Sequence, residues 1–100
     1  MPIQARQSNM KTILGAQMRA ARALLRWAAS DLARESGVSL STINRAEAVD
    51  GETAMTFANA AAVRRAFENA GVEMIDEGSA GPGVRLRQPL VNKSRRKSHQ

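Results

Sequence analysis

The sequence has no cysteine, no tyrosine, one tryptophan, two phenylalanines and one histidine, and each scarcity excludes something. Without cysteine there are neither disulfides nor thiolate metal sites. The one histidine, His99, stands next to the last residue, so a structural zinc centre has no ligand set. Aromatic residues make up 3% of a chain that is 43% hydrophobic. An apolar set of mostly alanine, with some leucine, isoleucine, valine and methionine, suits packed helices better than a sandwich of strands. No apolar run approaches the roughly 18 to 20 residues of a membrane helix. The opening MPIQARQSNMK lacks the apolar core of a secretion signal, and a cytoplasmic protein is expected. Catalysis needs titratable groups that converge, and with a terminal histidine and scattered carboxylates no enzyme and no cofactor are expected.

What is present fits one small domain, because 100 residues leave room for a single modest core. The net charge of +6 invites a polyanionic partner, but its distribution matters more than its sum. Residues 1–11 carry Arg6 and Lys11. Residues 12–84 carry seven basic and nine acidic side chains, a net −2, and residues 85–100 carry six basic side chains and no acidic one. The middle of the chain is therefore not basic, and charge alone does not define the partner.

Periodicity divides the chain. Residues 1–11 show none and are expected to form a flexible arm, followed by a domain over 12–87 and a disordered basic tail over 88–100. After Thr12, a candidate N-cap, apolar residues recur at Leu14, Met18, Ala21 and Leu25, which predicts a first helix ending near Arg26 or Trp27. Arg19, Arg22 and Arg26 share one flank of it, and a solvated face is the plain explanation of that flank. A second helix is predicted over Ala29–Ser36 with Leu32 and Ala33 inward, stopped by Gly37, a residue that tolerates positive φ. Ser39 caps a third helix from Leu40 to Ala46 or Glu47. Two short helices across a tight glycine turn form an angled pair. Thr53 or Thr56 caps a fourth helix through Asn69 with Phe57, Ala60, Val63 and Phe67 inward, and Gly71 ends it. Val72–Ile75 and Val84–Arg87, separated by DEGSAGPG, read as a hairpin with Val84 and Leu86 inward and Arg85 and Arg87 outward. So short a pair must pack on the helices or pair across a dimer axis.

The block DLARESGVSLSTINRAE, Asp31 to Glu47, resembles the lambda-repressor-like helix-turn-helix family that includes the phage repressor and Cro proteins, and the likeness extends over about residues 14–70. Leu32 and Ala33 match the apolar residue and close-packing alanine of the family's first motif helix. Gly37 and Val38 match its turn, and Ile43 matches the buried residue of its recognition helix. The segment from Asn59 to Arg87 resembles the ends of short bacterial regulators of this type, which implies a complete single-domain protein. The fold implied is mostly α, with four to five helices and a short C-terminal hairpin or paired strands. The resemblance also implies an architectural ion pair between Arg22 and Glu47.

In such a protein the third helix enters the major groove and its first residues reach base edges. Leu40, Ser41, Thr42, Asn44 and Arg45 are the exposed positions and the base-contact candidates. Arg45 suits the O6 and N7 of guanine, and Leu40 suits a thymine methyl. Ser39, and by position also Thr42, suit phosphates, as do Ser30 and Thr53. The chain departs from the family pattern in having Ala28 and Ala29 where a serine cap and a phosphate-gripping glutamine are usual. It also has Arg26 in place of a glycine, and Asp50 and Glu52 in place of basic residues. Arg6, Lys11, Arg85, Arg87, Lys93, Arg95, Arg96 and Lys97 are then expected to supply the missing phosphate contacts. The expected function is a sequence-specific regulator of transcription, a repressor, binding double-stranded DNA as a homodimer. The alternative is an antitoxin or antiactivator that uses the same fold to hold a toxin or activator.

Overall fold

The computed structural model describes residues 13–89, so the expected arm, the tail from 90 onward, and Arg6, Lys11, Lys93, Arg95, Arg96 and Lys97 lie outside the described residues. The described residues form four helices followed by a two-stranded antiparallel sheet: α1 Gly15–Leu25, α2 Ala29–Ser36, α3 Leu40–Glu47, α4 Phe57–Asn69, β1 Val72–Ile75 and β2 Gly83–Leu86. The mostly helical architecture with paired C-terminal strands is the one the alanine-rich composition and the helical spacings predict. Among the described residues, no helix is long and apolar enough to cross a membrane.

α1 begins two residues later than a cap at Thr12, which lies outside the described residues, requires. Leu14 occupies the cap position and has no acceptor of its own, and its backbone N–H donates instead to Oε1 of Gln17, 3.1 Å away. Two further helix-terminal amides are satisfied by a distant loop: Gly15 N–H donates to the Gly51 carbonyl (2.9 Å) and Ala16 N–H to that of Asp50 (3.1 Å). Unpaired amides at a helix start must find acceptors somewhere, and here they draw the segment after α3 against the start of α1. The Gln17 side chain is buried; its amide nitrogen donates to the carbonyls of Ile75 (3.0 Å) and Gly83 (3.1 Å), which joins α1 to the loop end of the hairpin.

α1 ends at Arg26, which has φ 60° and ψ 38°. It is the one non-glycine residue with positive φ among those described. That left-handed conformation costs an L-residue with a Cβ about 1–2 kcal/mol. Arg26→Gly is accordingly expected to raise the unfolding free energy by about 1 kcal/mol, less than the full strain because glycine has more freedom to lose. A denaturation midpoint that falls would contradict this.

α2 and α3 occupy the spans predicted for them. Ala28, at the N-cap of α2, offers no acceptor, but its N–H donates to Asp31 Oδ2 at 2.8 Å. That bond, followed by the Arg34 guanidinium, holds the Asp31 carboxyl below its ordinary range. Gly37 then turns the chain with φ 77°.

α4 is capped by Thr56, whose Oγ1 accepts from Asn59 N–H, and not by Thr53. Its inner face is Ala60, Val63, Ala66 and Phe67. Phe57, expected inward, is 55% exposed. Six residues from Val63, it stands about 120° round the helix from the buried face. Phe67 lies at the centre of the core with Ile13, Met18, Leu32, Ile43, Val63 and Val72, and Trp27 stacks on it with ring centroids 5.9 Å apart. The hairpin pairs Val72 with Leu86, Glu73 with Arg85, Met74 with Val84 and Ile75 with Gly83, so β2 runs one residue earlier than expected. Val84 and Leu86 pack on the core, Arg85 is exposed, and Arg87 falls just beyond the strand. The sheet packs on α1 and α4, which removes the need for a dimer partner to cover these short strands.

Candidate nucleic-acid interface

The C-terminal end of α3 is fastened from several directions. Arg22 on α1 makes a two-pronged contact with Glu47: Nε donates to Oε2 at 2.8 Å and Nη2 to Oε1 at 2.7 Å. The side chains are 23% and 8% exposed, so the Glu47 carboxylate depends on this partner. The remaining nitrogen, Nη1, donates to the Trp27 carbonyl at 2.8 Å. One guanidinium therefore holds both the α1–α2 turn and the last residue of α3. The hydrogen bonds to Glu47, with its charge, raise the Arg22 pKa against the opposing effect of burial. This pair was expected from the family resemblance, and with it all three nitrogens of the Arg22 guanidinium have acceptors within the protein.

Arg19 adds a fastening that its place on a solvated flank did not suggest. Its Nη1 donates to the carbonyls of Glu47 and Val49, and its Nη2 to Asp50 Oδ1. A cation at a helix C-terminus complements both the unpaired carbonyls and the helix dipole. Gly15 completes the contact: a Cβ there would lie 1.9 Å from the Val49 carbonyl oxygen and 2.8 Å from that of Ala46. The signal in the sequence was a glycine at the start of a helix, an unfavourable residue with no turn to make.

With that end held, one face of α3 is turned outward. Leu40, Ser41, Asn44 and Arg45 are exposed, while Ile43 and Ala46 are buried. Arg45 makes no ion pair and no side-chain hydrogen bond among the described residues. Arg19, Arg22, Arg34, Arg64, Arg85 and Arg87 each have an acceptor. Leu40 is 42% exposed at the leading end of the helix. These four side chains can meet a groove without first breaking a contact.

The other expected site residues divide. Ser39 caps α3: its Oγ accepts from Thr42 N–H (3.2 Å) and donates to Thr42 Oγ1 (2.9 Å), so Ser39 and the half-buried Thr42 are engaged with one another. Ser30 is exposed in the first turn of α2. Arg85 pairs with Glu73 at 3.0 Å on the outer face of the hairpin, and Arg87 donates to the Glu68 carbonyl. Thr53, expected at a phosphate, faces the interior: it is 6% exposed and its hydroxyl has no hydrogen-bond partner among the described residues. A buried hydroxyl without a partner loses its hydration for nothing. Thr53→Val, which keeps the shape, is therefore expected to raise stability by about 1 kcal/mol. A loss of stability on urea denaturation would reveal a partner for that hydroxyl.

Beside α3, a depression of about 200 Å³ is lined by Thr42, Arg45, Ala46, Ala54, Met55, Thr56 and Asn59. It is smaller than the clefts that take drug-sized ligands, about 300 Å³ and upward. No protein-family model and no curated protein sequence matches the chain.

Proposed function

We propose that the chain is a sequence-specific DNA-binding regulator of transcription of the lambda-repressor-like kind, acting in the cytoplasm as a repressor. In this proposal α3 enters the major groove, and a homodimer reads two half-sites about one helical turn apart. The observation that carries the proposal is the exposed face Leu40, Ser41, Asn44 and Arg45 on a short helix whose far end is clamped by Arg19 and Arg22. Base readout needs side chains that are free, donors or acceptors, and held at a fixed angle to the duplex. Arg45 is the guanine reader, Asn44 suits adenine, and Leu40 suits a thymine methyl.

Arg45→Ala is expected to cost about 1–3 kcal/mol of specific binding on a duplex that the native protein selects, and to relax the preference at one position. Its melting temperature should equal that of the native protein, because Arg45 has no partner among the described residues. Unchanged affinity and unchanged base preference would remove the proposed contact.

A second function on the same fold is an antitoxin or antiactivator. It is favoured by Phe57 and Val49, exposed at 55% and 45%, and by the net −2 of residues 12–84. An adjoining toxin reading frame would support it, and an inverted repeat in the protein's own promoter would support the regulator.

A further inference from the structure

We propose that Arg26 grips a phosphate of the DNA backbone bordering the groove that α3 occupies; this rests on the DNA-binding proposal above and adds a contact to it. Arg26 stands where the backbone favours glycine. It is the one described non-glycine residue with positive φ, and strain of this kind persists where a side chain has a use that offsets it. Packing gives it no such use. The residue is exposed, and its guanidinium has no ion pair and no hydrogen-bond acceptor among the described residues. The two other arginines of α1 are both committed, Arg19 to the end of α3 and Arg22 to Glu47 and the Trp27 carbonyl.

Its placement supplies the use. The Arg22 guanidinium touches both Trp27, the next residue after Arg26, and Glu47, two residues after Arg45. The α1–α2 turn is thus fixed beside the C-terminal end of the groove-facing helix. When the second helix of such a pair lies in the major groove, the first crosses the sugar-phosphate backbone. The turn leading into α2, which Arg26 opens as the C-cap of α1, is then carried to the phosphates at the groove edge. An arginine suits that position, since its planar fork can hold two phosphate oxygens at once. The need is real as well: residues 12–84 carry a net −2, and on α3 itself Arg45 is the one cation.

The test compares native protein, Arg26→Gly and Arg26→Lys on a duplex that the native protein selects from a random pool, with affinity measured between about 50 and 200 mM salt. Arg26→Gly should melt at a higher temperature than the native protein yet bind about five- to tenfold more weakly near 0.1 M salt. Its plot of log K against log salt should be shallower by about 0.9, the signature of one lost phosphate contact. Arg26→Lys should keep the native slope. A merely solvated arginine gives the first effect without the others, so Arg26→Gly with native affinity and slope overturns this inference while leaving the DNA-binding proposal standing. A native protein that selects no duplex overturns that proposal, and the inference with it.

Discussion

Arg22→Ala is expected to lower the unfolding free energy by about 3 kcal/mol, the lower end of the 3–5 kcal/mol typical of removing one partner from a buried pair. The lower end applies because the Arg22 side chain keeps 23% of its exposure, so water already screens part of the interaction. Most of the loss arises at Glu47, whose carboxylate is 8% exposed and would be left without its two charge-assisted bonds. The Trp27 carbonyl loses its donor at the same time. Glu47→Ala should cost less, because the freed guanidinium can turn toward water. Replacing both residues by leucine should recover most of the loss, since an apolar pair leaves no buried charge. Against a total stability of about 5–15 kcal/mol for a chain of this size, the single change leaves a small margin. Urea denaturation followed at Trp27, the one tryptophan, reads all three variants. Equal midpoints for native and Arg22→Ala would mean that the clamp contributes nothing.

Gly15→Ala should be comparably damaging, by about 3 kcal/mol, and the sign is the informative part. In an ordinary helix interior the same change gains about 1 kcal/mol, because alanine is the better helix former. Here the new methyl would lie 1.9 Å from the Val49 carbonyl oxygen. That atom belongs to the backbone and cannot rotate aside, so α1 and the segment after α3 must separate, with the cost of an overpacked core. The bonds from Gly15 and Ala16 to the Gly51 and Asp50 carbonyls stretch with them, as does the Arg19 grip. Because these contacts set the attitude of α3, DNA affinity should fall further than the loss of folded protein explains. Gly51→Ala is the control: a Cβ there meets nothing within 4 Å, and its melting should stay close to native. A Gly15→Ala protein that melts above the native one would show that the close approach does not exist in solution.

The parts of the fold that depend on local spacing were legible in the sequence. α2 and α3 could be bounded from Leu32, Gly37, Ser39 and Ile43 alone, because caps, a turn glycine and the 3.6-residue period all act within a few residues. Phe57 was misplaced because an apolar residue at spacing of three satisfies the eye while drifting off the buried face. Arg19 and Gly15 were not legible as supports, since their partners at positions 46 to 50 lie about 30 residues away and only the packed fold brings them together. Arg26 was visible as a departure from a glycine pattern, but that the backbone there is left-handed needed coordinates. The Arg22 to Glu47 contact was reached through family likeness and not through spacing, and the structure supplies the physical reason for it: one guanidinium joins the α1–α2 turn to the last residue of α3.

These contacts converge on a division of labour within α3. Its final turn is spent on anchorage, through the buried Ala46, the Glu47 carbonyl that Arg19 reaches and the Glu47 carboxylate that Arg22 holds, and its cap is spent on Ser39 and Thr42. What remains free is a narrow set of side chains of mixed chemistry, a cation, an amide, a hydroxyl and an apolar group. In the proposed regulator, a rigid helix with those groups free would discriminate between base pairs by pattern, where a mobile one would only adhere to charge. On that proposal the near-neutral, slightly acidic middle of the chain would sharpen the discrimination, because weak phosphate attraction lowers binding to every sequence and leaves a larger share of the selectivity to base contacts.

The most direct measurement is selection of bound duplexes from a random DNA pool by the full-length protein at about 0.1 M salt, repeated with Arg45→Ala. The account predicts an enriched site made of two related half-sites about 10 base pairs apart, with a guanine in each half that loses its enrichment when Arg45 is removed. A pool that emerges without any enriched sequence, from protein that is folded and monodisperse, would contradict it.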